Sequence, residues 1–265
     1  MPRTRIIARY LPFATLICLV LLAGCQPMQS AALEENTPIP LIPTSTAVPT
    51  STPTVEIPTP TQAPEPPPII TIPELTDPAP EINGTISPGE WEQARVETFA
   101  DGSELMLMHT RDFLYLAIRA STPQMIVGNV YIQRENEVSI LHASAALGTA
   151  IYHKGDQAWE QTQDFTWQCR DAGFGDEAMA KRAEFLQLEG WLASITRLGR
   201  FNEMEYQIEV GEGITTLAVV FLQNHEANPY PVTLADDCVQ LFSGGIPEEM
   251  RFSTGLWVPI SLSTD

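Results

Sequence analysis

The sequence predicts a mainly β protein: an antiparallel β-sandwich with a short N-terminal helix and one inserted helix, preceded by a disordered stalk. Three observations carry this. Beyond residue 80 the chain breaks into many short alternating or apolar runs separated by turn residues, the pattern of an antiparallel two-layer fold. One window, Asp176–Glu189, instead has helix formers and helical apolar spacing at Met179, Arg182, Phe185, Leu186 and Leu188. Over residues 37–80, 14 of 44 residues are proline, mixed with Thr, Ser and short aliphatics, and no hydrophobic period is present.

In chain order, residues 1–24 read as an export signal. Arg3, Arg5 and Arg9 precede an apolar stretch over 11–23, which is shorter than the roughly 20 residues a spanning helix needs. The stretch ends Leu22-Ala23-Gly24-Cys25, which resembles the lipobox of bacterial lipoproteins. That resemblance implies cleavage before Cys25, lipid on the Cys25 sulfur and new amino group, and an extracytoplasmic protein held to the membrane by several acyl chains. Residues 25–80 then form the lipidated cysteine and a Pro/Thr-rich disordered linker. At roughly 3 Å per residue the proline-rich part spans up to about 130 Å.

Residues 81–265 form the single domain, long enough for one sizeable core. The whole chain has 33 Asp+Glu against 14 Lys+Arg, a formal charge of −19. That argues against nucleic acid or an anionic membrane surface as partner, since both need a basic patch. Asn83-Gly84 between apolar residues is a turn signal. Ser87-Pro88-Gly89-Glu90 has the form of a capping box opening a short helix, with Trp91 and Ala94 on its buried face. Strands are expected over 104–109 and 113–120, the latter with Leu114, Leu116, Ile118 and Ala120 on one side. Further strands are expected over 127–133, 138–142, 149–152, 204–210, 214–223 and 257–262. Cys18 leaves with the signal. Cys169 and Cys238, 69 residues apart, remain as an even pair in an oxidising compartment, for which a disulfide is the simplest account.

Ile82-Asn83-Gly84, Glu90-Trp91-Glu92-Gln93-Ala94 and Phe113-Leu114-Tyr115-Leu116-Ala117-Ile118, in this order, resemble the family 9 carbohydrate-binding-module-like domains, a branch of the DOMON-type β-sandwiches. Glu205-Tyr206-Gln207-Ile208 fits a later strand of that family, while Asn83 stands where the family has aspartate. The resemblance implies a sandwich that binds sugars, in some members with calcium, or binds haem.

Sugars are gripped by aromatic rings and by hydrogen-bonding side chains. The segment 155–191 holds three of the five tryptophans together with polar residues, so Trp159, Trp167, Trp191, Asp164 and Arg170 are the expected ligand-binding set. The competing reading makes these tryptophans core; Trp91 and Trp257 are assigned to the core from their positions. Calcium would draw on Asp171, Asp176, Glu177, Asp236 and Asp237, but no Asp-x-Asp-x-Asp-Gly loop is present. Haem would draw on His109, His142, Met106, Met108 and Met125, but no Cys-x-x-Cys-His site is present. No cofactor is therefore assigned. No Gly-x-Ser-x-Gly, His-Glu-x-x-His or phosphate loop points to catalysis. The expected function is non-catalytic binding, of carbohydrate first. The alternatives are a structural or protein-interaction module of a cell-surface complex, then a haem-binding electron-transfer domain.

Overall fold

Alternating side chains and short turns make strands the main element of the described part of the chain. The computed structural model describes residues 65–76, 78–144, 146–169, 176–195, 202–210, 214, 216–232, 234, 238 and 245–262, except the side chains of 164–169 and 178. The strands are β1 (Ile70–Ile72), β2 (Arg95–Thr98), β3 (Glu104–His109), β4 (Phe113–Arg119), β5 (Val127–Arg134), β6 (Glu137–Ala143), β7 (Ala146–Lys154), β8 (Trp159–Cys169), β9 (Trp191–Ile195), β10 (Glu203–Glu209), β11 (Thr216–Gln223), β12 (Glu226–Tyr230), β13 (Glu249–Met250) and β14 (Val258–Leu262). A helix, α1 (Asp176–Glu189), lies between β8 and β9 in the chain, and a 3-10 turn at Thr254–Leu256 precedes β14.

Among the described residues these strands make two sheets. The larger runs β1-β14-β11-β5-β6-β7-β8-β13, with β12 also paired to β11; the smaller runs β2-β3-β4-β10-β9. All pairings are antiparallel except β1 with β14. Residues directly opposite across a ladder share a face. In the smaller sheet Leu105 pairs Ile118, Leu107 pairs Leu116, and Leu116 pairs Tyr206, so these residues line one face. In the larger sheet Val130 pairs Leu141 and Val219, and Ala143 pairs Leu147. The two sets merge into one buried cluster, the core of a β-sandwich.

The larger sheet is buried on its other face too. Tyr131, Val138, Ile140, Ala150, Tyr152, Ala218 and Val220 meet Cys238, Met250, Phe252 and Trp257, which the C-terminal part of the chain lays across them. This second core is aromatic: Phe252 lies 5.3 Å from Tyr152, 5.8 Å from Trp257 and 5.9 Å from Trp159 between ring centroids. Edge-to-face pairs of this kind stabilise beyond the area they bury.

The structure moves three boundaries expected from sequence. The fold begins before residue 81: Ile70 and Ile72 are buried, β1 pairs β14, and the Leu75 N–H bonds the His109 carbonyl. Prolines flank this strand but none interrupts it, so three consecutive backbone units can join a ladder. The helix expected at 87–94 is a pair of turns. The Ser87 N–H does reach the Glu90 carboxylate at 3.2 Å, half of a capping box, but Gly89 takes φ +91°, which no right-handed helix accommodates. The segment 155–191, expected to supply the ligand-binding set, contains β8 and ends at the first residue of β9.

Candidate functional site

Trp159 and Trp191 do not present rings to solvent. Trp159 retains 6% exposure in the aromatic core, and Trp191 retains 1%, stacked on Tyr206 at 6.1 Å with Phe185 against its edge. Both are core rings, which corrects the expectation that they stack on a sugar. Their strands place them there: Trp159 opens β8, and Trp191 opens β9 opposite Ile208 on the inner face. Trp167 and Asp164 lie in β8, but their side chains are outside the described residues, as are Arg170, Cys25, Asp171, Asp236 and Asp237. The Cys169 side chain is also outside them; Cys238 is buried, its carbonyl accepting the Tyr131 hydroxyl, and no disulfide is seen among the described residues.

The haem candidates are scattered. Met108 and His109 are neighbours in β3 and so point to opposite faces, Met125 is exposed, and His142 Nδ1 lies 2.7 Å from the Asn129 carboxamide oxygen. Asp176 and Glu177 open α1, and among the described residues no three His, Cys, Asp or Glu side chains converge as a metal-holding group.

A different set of residues forms a cleft. The smaller sheet ends at β9, leaving part of the inner face of β6, β7 and β8 uncovered. There the inner-face positions turn polar: Glu137 and Ser139 on β6, Thr149 on β7, Gln163 on β8. Arg134 closes one side from the end of β5; Glu189, Gly190 and Glu209 close another. Ile151 and Leu188 supply its apolar surface, above the buried Leu141, Trp191 and Ile208. The cavity measures about 480 Å³.

Its polar groups are held by hydrogen bonds. The Trp191 indole N–H donates to Thr149 Oγ1 at 2.9 Å, and the Thr149 hydroxyl donates to Glu189 Oε2 at 2.8 Å. The Ser139 hydroxyl donates to Glu137 Oε1 at 3.1 Å, and His153 Nε2 lies 3.2 Å from Glu137 Oε2. The Arg134 guanidinium donates to the Glu209 carbonyl at 2.9 Å. Burial lowers the Arg134 pKa, while Glu137 and Glu209 oppose that shift. Trp191 thus belongs to the site from beneath, as a donor that orients the carboxylate of α1. Sequence reasoning missed this cleft because its residues come from seven separate elements. The one local signal is Glu137-x-Ser139, a polar alternation at the start of β6.

The residues that carry the family resemblance also converge. Glu205, fully buried on the outer face of the smaller sheet, accepts the backbone N–H groups of Asn83 at 3.0 Å and Gly84 at 2.7 Å and the Trp91 indole N–H at 3.0 Å. Burial pushes its carboxyl up to about 7, against the lowering effect of those three donors. Two residues earlier, Glu203 accepts the Ile86 N–H and an Arg119 N–H. These glutamates fasten the opening segment to the sheet, and their role is structural.

No protein-family model matches this chain, and no curated protein or solved structure is significantly similar to it.

Proposed function

We propose that this chain is a lipid-anchored extracytoplasmic protein whose β-sandwich binds carbohydrate without catalysis, at the cleft between β6–β8 and the end of α1. The cleft carries the reading. It is concave, its volume lies within the range of small-ligand pockets, and an apolar surface is surrounded by carboxylate, hydroxyl, amide and guanidinium groups. A pyranose offers the complementary surface, C–H faces and hydroxyl edges. The anchoring half rests on the signal at 1–24 and Cys25, and the likeness of the opening residues to family 9 carbohydrate-binding-like domains supports the ligand class. Calorimetric titration of the full chain with a panel of soluble glycans tests it. Saturable binding weakened by Gln163→Ala and Arg134→Ala supports the cleft.

The burial of Trp159 and Trp191 favours a second reading, a structural or protein-interaction module presented by the stalk, because it removes two of the three rings on which stacking would depend. The absence of binding to every glycan, with a protein partner captured by the same chain, would establish that reading instead.

A further inference from the structure

We infer that Asn83 is a deamidation site held closed by Glu205, so that its conversion to aspartate or isoaspartate follows release of the opening segment 82–86 from the smaller sheet.

The chemistry is local. Asn83-Gly84 is the one Asn-Gly pair in the chain. Glycine has no side chain to shield its nitrogen or restrict its backbone, so this pair cyclises more readily than asparagine before any other residue. The Gly84 nitrogen loses its proton and bonds Asn83 Cγ, and the carboxamide nitrogen leaves as ammonia. Water then opens the cyclic imide at either carbonyl. The products are aspartate and, with an extra methylene in the main chain, isoaspartate. Water is the only reagent consumed, and the Asn83 side chain is exposed to it.

The fold opposes ring closure. The N–H groups of Asn83 and Gly84 both donate to Glu205 Oε2, at 3.0 and 2.7 Å. Two successive N–H groups aimed at one atom fix the backbone rotation between them, and that rotation must change for the ring to form. The bond to Glu205 does not activate the Gly84 nitrogen, because a carboxylate is far too weak a base to remove an amide proton. The side chain is fixed as well: Asn83 Oδ1 accepts the Thr85 N–H at 2.8 Å. On either side, the Ile82 carbonyl accepts the Arg182 guanidinium from α1, the Ile86 N–H donates to Glu203 Oε2 at 3.0 Å, and both isoleucines are buried. Cyclisation therefore waits for local opening of this segment. Isoaspartate lengthens the chain between the two N–H groups, so they no longer converge on one oxygen and the release becomes one-way.

The test incubates the full chain at mildly alkaline pH and follows conversion of Asn83 by peptide mapping and mass spectrometry, with Asn83→Gln setting the background. Urea midpoints show which variants fold. Native protein is expected to convert at least tenfold more slowly than the same chain unfolded in urea. Folded Glu205→Ala should convert at least fivefold faster than native. Arg182→Gln, which frees the Ile82 carbonyl, should also be faster, and it decides the question if Glu205→Ala does not fold. Trp159→Ala, which weakens the second core, should stay within twofold of native. Native protein converting as fast as the unfolded chain overturns the inference, as does an unchanged rate in the folded variants at Glu205 and Arg182. Equal acceleration by Trp159→Ala overturns it too, because conversion then follows global unfolding rather than release from Glu205.

Discussion

The Trp91 indole donates its N–H to Glu205 Oε1 at 3.0 Å, joining a turn near the start of the domain to a strand 114 residues later. The same carboxylate takes the N–H groups of Asn83 and Gly84, so one side chain orders the turn and the tryptophan together. Trp91→Phe keeps most of the ring's burial and removes one charge-assisted bond inside the protein. It should cost about 2 kcal/mol of stability, read from the shift in urea midpoint at neutral pH.

Glu205 also sets a pH dependence. Its folded pKa, about 7, lies above the ordinary 4.5 of an unfolded glutamate. A raised carboxyl favours folding while protonated. Its contribution is therefore full below about pH 4.5 and is lost as pH rises through 7, a change on the order of 3 kcal/mol. Urea midpoints at pH 5 and pH 8 should differ in that direction for the native chain and much less for Glu205→Gln. A midpoint that rises between these pH values in the native chain and not in the variant would contradict the assignment.

Gly190 links α1 to β9 at φ +69°, and a Cβ there would sit 3.1 Å from Glu209 Oε2. Gly190→Ala should cost roughly 1–2 kcal/mol for the left-handed backbone alone. It should also displace Glu209, whose backbone carbonyl holds the Arg134 guanidinium of the cleft, so glycan affinity measured by calorimetry should fall even at temperatures where the variant is fully folded.

Trp159 separates stacking from packing. In the aromatic core, Trp159→Ala leaves a cavity beside Phe252 and should cost about 3–5 kcal/mol, seen as a large drop in thermal midpoint. Below that midpoint, glycan affinity should stay within twofold of native. A selective loss of binding at unchanged stability would return the ring to the ligand site.

Cys25 governs location under the proposed anchoring. Cys25→Ala should move the protein from the membrane fraction to the soluble or secreted fraction, with labelled fatty acid no longer incorporated, while the folding of the sandwich is unaffected.

The β3–β4 hairpin and α1 are legible in the sequence because their signals are local: alternation over six or seven residues, a short polar turn, and fourteen residues of helix-forming composition. β8 and β9 are not, because their tryptophans and polar residues look alike in a binding loop and in a strand. What makes Trp159 a core residue is the return of Met250, Phe252 and Trp257 over the sheet, a contact between segments about 90 residues apart that no local pattern announces. The same covering hides the cleft. In β6 the apolar Val138 and Ile140 face the second core, so the face that alternation marks as buried is the one away from Glu137 and Ser139. The register that brings these residues beside Thr149 and Gln163 is a property of three strands together.

The parallel pairing of β1 with β14 bears on mechanics. Ile70, Thr71 and Ile72 lie against Ile260, Ser261 and Leu262, with the proline-rich segment leading into β1 and the chain leaving β14 beyond Leu262. Tension between those two ends slides the strands along each other, so the three pairs resist in shear and must yield together; a hairpin pulled from its open end yields one pair at a time. Ile70 and Ile72 are sealed into the core, so yielding also exposes apolar surface to water.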